Sequence, residues 1–145
     1  MKPTPAICLT AALILLAVAG CKPSSPSPAG TWELAATSTN IQPPPPPLNL
    51  KLTLNGGALT GTLGHYTSAI VNGKATIADL PITDAKLQGN QLSFNFTHPP
   101  SVGTGPNSDY KYQGTLGGDT ITGTVTIEWM GETLTKTWEA RRLKP

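Results

Sequence analysis

His65 and His98 are the only histidines in the 145-residue chain, and they stand 33 positions apart. Neither has a Cys, His or carboxylate beside it at the spacing a metal site uses, and both read as loop residues, so no metal site is expected. Asp79 with Asp84, and Glu128 with Glu132, are close enough in sequence to act as the paired carboxylates that hydrolyse glycosidic bonds. Each falls at a turn or on an outward-facing position, however, where a solvated acid is the ordinary state. The serines lie in tether and loop stretches without a G-x-S-x-G elbow. Hydrolysis is therefore the least favoured reading, and no cofactor is implied. "LTGTL" (59–63) and "ITGTV" (121–125) nearly coincide, but the glycine of each lies mid-strand and lacks the following Lys of a phosphate loop.

The elements that would position such residues are strands. "LNLKLTLN" (48–55) puts Leu48, Leu50, Leu52 and Leu54 on one face and Asn49, Lys51, Thr53 and Asn55 on the other. That is the alternation of a half-buried strand. "NGG" then turns the chain, because Asn and Gly accept the positive φ of tight hairpins. The same pattern returns in "GTWELAAT", "KATIA", "ITDAKLQ", "QLSFNF", "DYKYQGTL", "TITGTVTIEW" and "TLTKTWEARRL". About eight strands joined to their sequence neighbours predict an all-β domain, an eight-stranded antiparallel up-and-down β-barrel over residues 30–145. A two-sheet β-sandwich is the alternative. "LTLNGGALTGTL" and "GTLGGDTITGTV" match as whole hairpins, so the repeat is structural, with Leu59, Gly61 and Leu63, or Ile121, Gly123 and Val125, facing inward. The Pro-rich run 43–47 between the first two strands predicts a stiff loop.

The N-terminal residues differ. Lys2 precedes an apolar run (6–19) too short to span a bilayer as a helix, which reads as an export signal over residues 1–20. Val18-Ala19-Gly20-Cys21 resembles the lipobox of bacterial lipoproteins. That resemblance implies cleavage before Cys21, a lipid on its thiol and anchoring to the cell envelope. By the same resemblance, Lys22 rather than Asp after the Cys implies sorting to the outer membrane, facing the periplasm. Residues 21–29 then carry the lipid and a Pro/Ser tether. Cys8 leaves with the signal, so the folded domain has no disulfide and depends on core burial. With Lys2 removed, nine Lys or Arg face eight Asp or Glu. That balance excludes the basic excess of a nucleic-acid binder.

Gly30-Thr31-Trp32 is similar to the G-x-W opening of lipocalins and their calycin relatives, including avidins, in which an Arg after the last strand covers the Trp. The resemblance implies that Trp32 is covered by Arg141 or Arg142, closing one barrel end. The lipocalin T-D-Y motif is absent and nothing matches the avidin biotin site, so neither ligand transfers.

The inward face carries Phe94, Phe96, Tyr110, Tyr112, Trp129 and Trp138, with Lys136 between Leu134 and Trp138. A Lys is almost never buried without a partner. These residues mark the place where a small apolar or amphipathic ligand would bind. A filled barrel serving a structural or protein-interaction role is the alternative.

Overall fold

The computed structural model describes residues 26–35, 46–100 and 104–144, the side chain of residue 75 excepted. The expected signal segment, Cys21, the start of the expected tether and most of the proline run lie outside the described residues. Nine strands fill the described chain: β1 (Gly30–Leu34), β2 (Leu48–Asn55), β3 (Ala58–Val71), β4 (Lys74–Pro81), β5 (Thr83–Gln88), β6 (Gln91–His98), β7 (Ser108–Gly117), β8 (Thr120–Trp129) and β9 (Glu132–Arg142). They form one antiparallel sheet in the order β4-β3-β2-β1-β9-β8-β7-β6-β5. The first and last strands pair with each other, Trp32 opposite Arg142 and Leu34 opposite Ala140. This is a nearly closed barrel rather than two stacked sheets.

The ninth strand has a local cause. Ile82 alone separates β4 from β5, and its N–H donates to the Gly61 carbonyl at 3.1 Å. Pro81 before it has no N–H to continue a ladder. Beyond it the register with β6 shifts between Thr83 and Lys86, and Asp84 takes a φ of 50°. The chain therefore changes partner at Ile82, from β3 to β6, and leaves the one seam in the sheet.

Tight turns set the strand ends. Gly56-Gly57, Asn72-Gly73 and Met130-Gly131 each place two successive residues at positive φ, the two-residue turn that matches strand twist. Asn72-Gly73 makes β3 fourteen residues long, well past the expected "ALTGTL", and carries His65 into a strand instead of a loop.

The twin hairpins have one explanation. Leu59, Leu63, Ile121 and Val125 are buried, as the alternation predicts. A Cβ at Gly61 would sit 2.1 Å from the Lys51 carbonyl oxygen, and one at Gly123 would sit 1.9 Å from that of Gln113. Only glycine lets the neighbouring backbone come this near, which tightens the coil of the sheet at both places.

The antiparallel order gives the barrel two unlike ends. One holds the start of β1, the end of β9 and the β2–β3, β5–β6 and β7–β8 turns. There Trp32, fully buried, donates its indole N–H to the Pro28 carbonyl at 2.8 Å. The Arg142 guanidinium covers the Trp32 ring at 4.1 Å and donates to the carbonyls of Ser27 and Ala29, each at 2.6 Å. It also faces Asp119 at 3.2 Å. Arg141, named beside it as a candidate, does not close the barrel: it is exposed and pairs with Glu139 at 2.9 Å. Alternation along β9 turns one arginine in and its neighbour out. Ser27, Pro28 and Ala29, expected as the end of a tether, are fixed beneath this closed end.

Candidate ligand-binding cavity

Among the described residues, the other end is uncovered. Its rim carries the β3–β4 and β8–β9 turns, and below the rim lies a cavity of about 370 Å³. Cross-strand register builds its wall. Phe94 lies opposite Tyr112, and Phe96 opposite Tyr110, on paired β6 and β7. Such facing aromatics stabilise a sheet by about 0.2–1 kcal/mol per pair. Phe94 and Tyr112 stack with centroids 4.7 Å apart, and Trp138 meets Tyr112 edge-on at 5.2 Å. The Trp138 indole donates to the Gln113 carbonyl at 2.9 Å and lies over the bare backbone of Gly114, where a Cβ would meet the ring at 2.9 Å.

The aromatic contacts continue toward the rim. Tyr110 stacks with Tyr112 at 6.3 Å, and His98 approaches both Phe96 and Tyr110. His98 then meets His65 edge-to-face at 5.3 Å. The two histidines thus come together across the interior, one from β3 and one from the end of β6. Sequence separation hid this contact. The usable signal was the "HYTSAIV" stretch, aromatic and β-branched, running into Asn72-Gly73: it marks a long strand and hence an inward side chain at position 65.

Each imidazole is oriented by a backbone carbonyl. His65 Nδ1 donates to Ala78 O at 2.9 Å, and His98 Nδ1 to Pro99 O at 2.6 Å. A carbonyl only accepts, so Nδ1 carries the hydrogen and Nε2 is the free nitrogen in both rings. His65 is 8% exposed. Among the described residues no three His, Cys, Asp or Glu side chains are grouped to hold a metal.

The polar complement is small. The Tyr66 hydroxyl donates to the Pro46 carbonyl, which ties β3 to the entry of β2 at the rim. Burial raises the pKa of Tyr110, and it pushes that of Tyr112 far above the ordinary phenol value, with the neighbouring Tyr110 adding to the shift. Both remain neutral hydroxyls. Lys136 and Glu139, on β9, are the charged residues lining the cavity. A shallower depression of about 650 Å³ over Thr122, Gly123 and Thr137 shares Ala35, Lys136, Trp138 and Glu139 with it. The short β1 explains that side opening: its pairing with β9 stops at Leu34 and Ala140, followed by one bond from Ala35 N–H to Glu139 O.

Of the expected ligand residues, Phe96, Tyr110, Tyr112 and Lys136 line the cavity, with Trp138. Phe94 supports the wall from behind, 1% exposed. Trp129 lies elsewhere: it shares the alternation of Val125 and Ile127 but stands at the β8–β9 turn beyond the rim, 49% exposed. Of the four candidate carboxylates, Glu132 is exposed and has no ion pair among the described residues, and the other three are engaged singly. Asp79 meets Lys51 at 2.5 Å and Glu128 meets Lys111 at 2.7 Å, while Asp84 accepts from Asn95 at 2.9 Å.

Comparison with protein-family models, with curated proteins and with solved structures finds no match to the chain.

Proposed function

We propose that this is an exported, lipid-anchored protein of the bacterial cell envelope whose barrel binds one small apolar or amphipathic molecule in its open half. The observation that carries the reading is the aromatic cavity itself. Its volume of about 370 Å³ lies within the range of small-molecule sites, which are mostly apolar with a few placed polar groups. The finer description of the fold, an eight-stranded up-and-down barrel shaped like a calycin, takes β4 and β5 as one strand bent at Ile82. Arg142 over Trp32 supports it.

The docked Ser27–Ala29 stretch bears on anchoring. With lipid on Cys21, five residues (22–26) separate the lipid from the closed end, a reach of roughly 15 Å at ~3.1 Å per residue. The closed end then faces the membrane and the cavity opens away from it.

Native mass spectrometry of the protein released from its host membrane tests the ligand: a co-purifying mass of small-molecule size is expected. The absence of any such mass, together with no uptake of added apolar probes, would refute binding. Cys21→Ala should move the protein from the membrane to the soluble fraction, and an unchanged distribution refutes the anchor. A protein-interaction role is the second reading. Trp129, Met130 and Leu134, at 49%, 69% and 51% exposure around one turn, favour it.

A further inference from the structure

We propose that the cavity takes an amphipathic anion, an apolar body of about a dozen non-hydrogen atoms carrying one carboxylate, which Lys136 holds at the mouth. This rests on the ligand-binding reading and specifies its chemistry.

The size follows from the cavity: 370 Å³ divided by about 30 Å³ for a water-sized group is on the order of a dozen groups. The apolar body follows from the walls, since Phe96, Tyr110, Tyr112 and Trp138 present ring faces and edges. The anion follows from charge. Glu139 Oε1 accepts from Arg141 Nε at 2.9 Å, so its negative charge is already answered. Lys136 has no carboxylate within 4.0 Å among the described residues, although it lines both the cavity and the side opening. The uncompensated charge at this apolar site is therefore positive. The Tyr110 and Tyr112 hydroxyls, kept neutral by burial, add donors and no opposing charge.

The test uses the full-length protein in nanodiscs of zwitterionic lipid, with empty nanodiscs as reference, and calorimetric titration of 4-phenylbutyrate, 4-phenylbutanol and 4-phenylbutylamine. At about pH 7.5 the acid should bind roughly 5- to 10-fold tighter than the alcohol, and the amine more weakly than either. Lys136→Gln should bring acid and alcohol within about twofold at pH 7.5. Equal binding of acid and alcohol at pH 7.5, or preference for the amine, overturns the anion assignment and leaves the cavity as a ligand site. Failure of all three probes to bind overturns both.

Discussion

The two halves of the barrel are built from the same strands with the same alternation, yet one is solid and the other hollow. Along β8 the inward positions run Ile121, Val125, Ile127 and Trp129, and their exposure climbs from 0% for Ile121 to 49% for Trp129. Along β9 they run from Ala140 and Trp138, both buried, to Lys136 and Leu134, both exposed. At the closed end Trp32 and Arg142 fit as lid and bolt, and Leu50, Leu92, Leu116 and Ile121 fill the space behind them. At the open end β1 stops after five residues, β4 and β6 part at the seam, and the interior positions go to histidine, tyrosine and lysine. Core burial and the candidate site are thus divided along the barrel axis: one half supplies burial, the other a surface that faces inward.

The largest test of that division compares two tryptophans. Trp32→Ala removes a fully buried ring and should cost about 3–5 kcal/mol in urea unfolding, whereas Trp129→Ala should change stability by no more than about 0.5 kcal/mol. Equal costs would erase the distinction between the ends. A second pair adds volume instead. Ile121→Phe overfills a site with 0% exposure and should cost about 1–3 kcal/mol. Val125→Phe, which lines the cavity, should cost less than about 1 kcal/mol while abolishing uptake of 4-phenylbutyrate. Retained uptake in Val125→Phe would place the binding site outside the cavity.

How much of this was legible follows the same axis. Alternation identified the inward face of β2, β3 and β6 to β9, because a period of two is all a pleated strand needs to bury one side. It said nothing about depth, so Trp129 and Ile121 looked equivalent although one stands beyond the rim. The closed end was readable from Gly30-Thr31-Trp32 and the terminal arginines, but choosing between Arg141 and Arg142 required the β1–β9 register. The histidine pair was illegible, since it depends on β3 continuing through His65 to Asn72-Gly73 and on the partner change at Ile82 that brings β6 near. Both are consequences of closure, which no local pattern states.

Arginine substitutions sharpen the comparison on a smaller scale. Arg142→Gln loses the ring contact and two hydrogen bonds to the docked N-terminal stretch, and should cost about 1–2 kcal/mol. It should also speed amide exchange at Ala29 and Gly30. Arg141→Gln breaks only a pair at the surface, worth less than about 0.5 kcal/mol. If the neighbouring substitutions behave alike, the guanidinium over Trp32 has no special role in closing the barrel.

The smallest effect at neutral pH is expected from Tyr112→Phe, and it becomes visible only in alkali. Burial, reinforced by Tyr110, holds the Tyr112 phenol protonated in the folded chain well beyond its ordinary value of 10.0. Below about pH 10 folded and unfolded chains both keep this proton, so it contributes no pH dependence. Above that value the unfolded chain releases the proton while the folded chain retains it. Stability must then fall as pH rises, by up to about 1.4 kcal/mol per pH unit for one proton. Phe keeps the stack on Phe94 and has no proton to lose. Unfolding of the variant, followed in urea between about pH 9.5 and 11.5, should therefore show a shallower decline than the parent at the same ionic strength. Parallel declines would mean that the hydroxyl reaches water in the folded state, and that the hollow half is wetter at its floor than the aromatic wall implies.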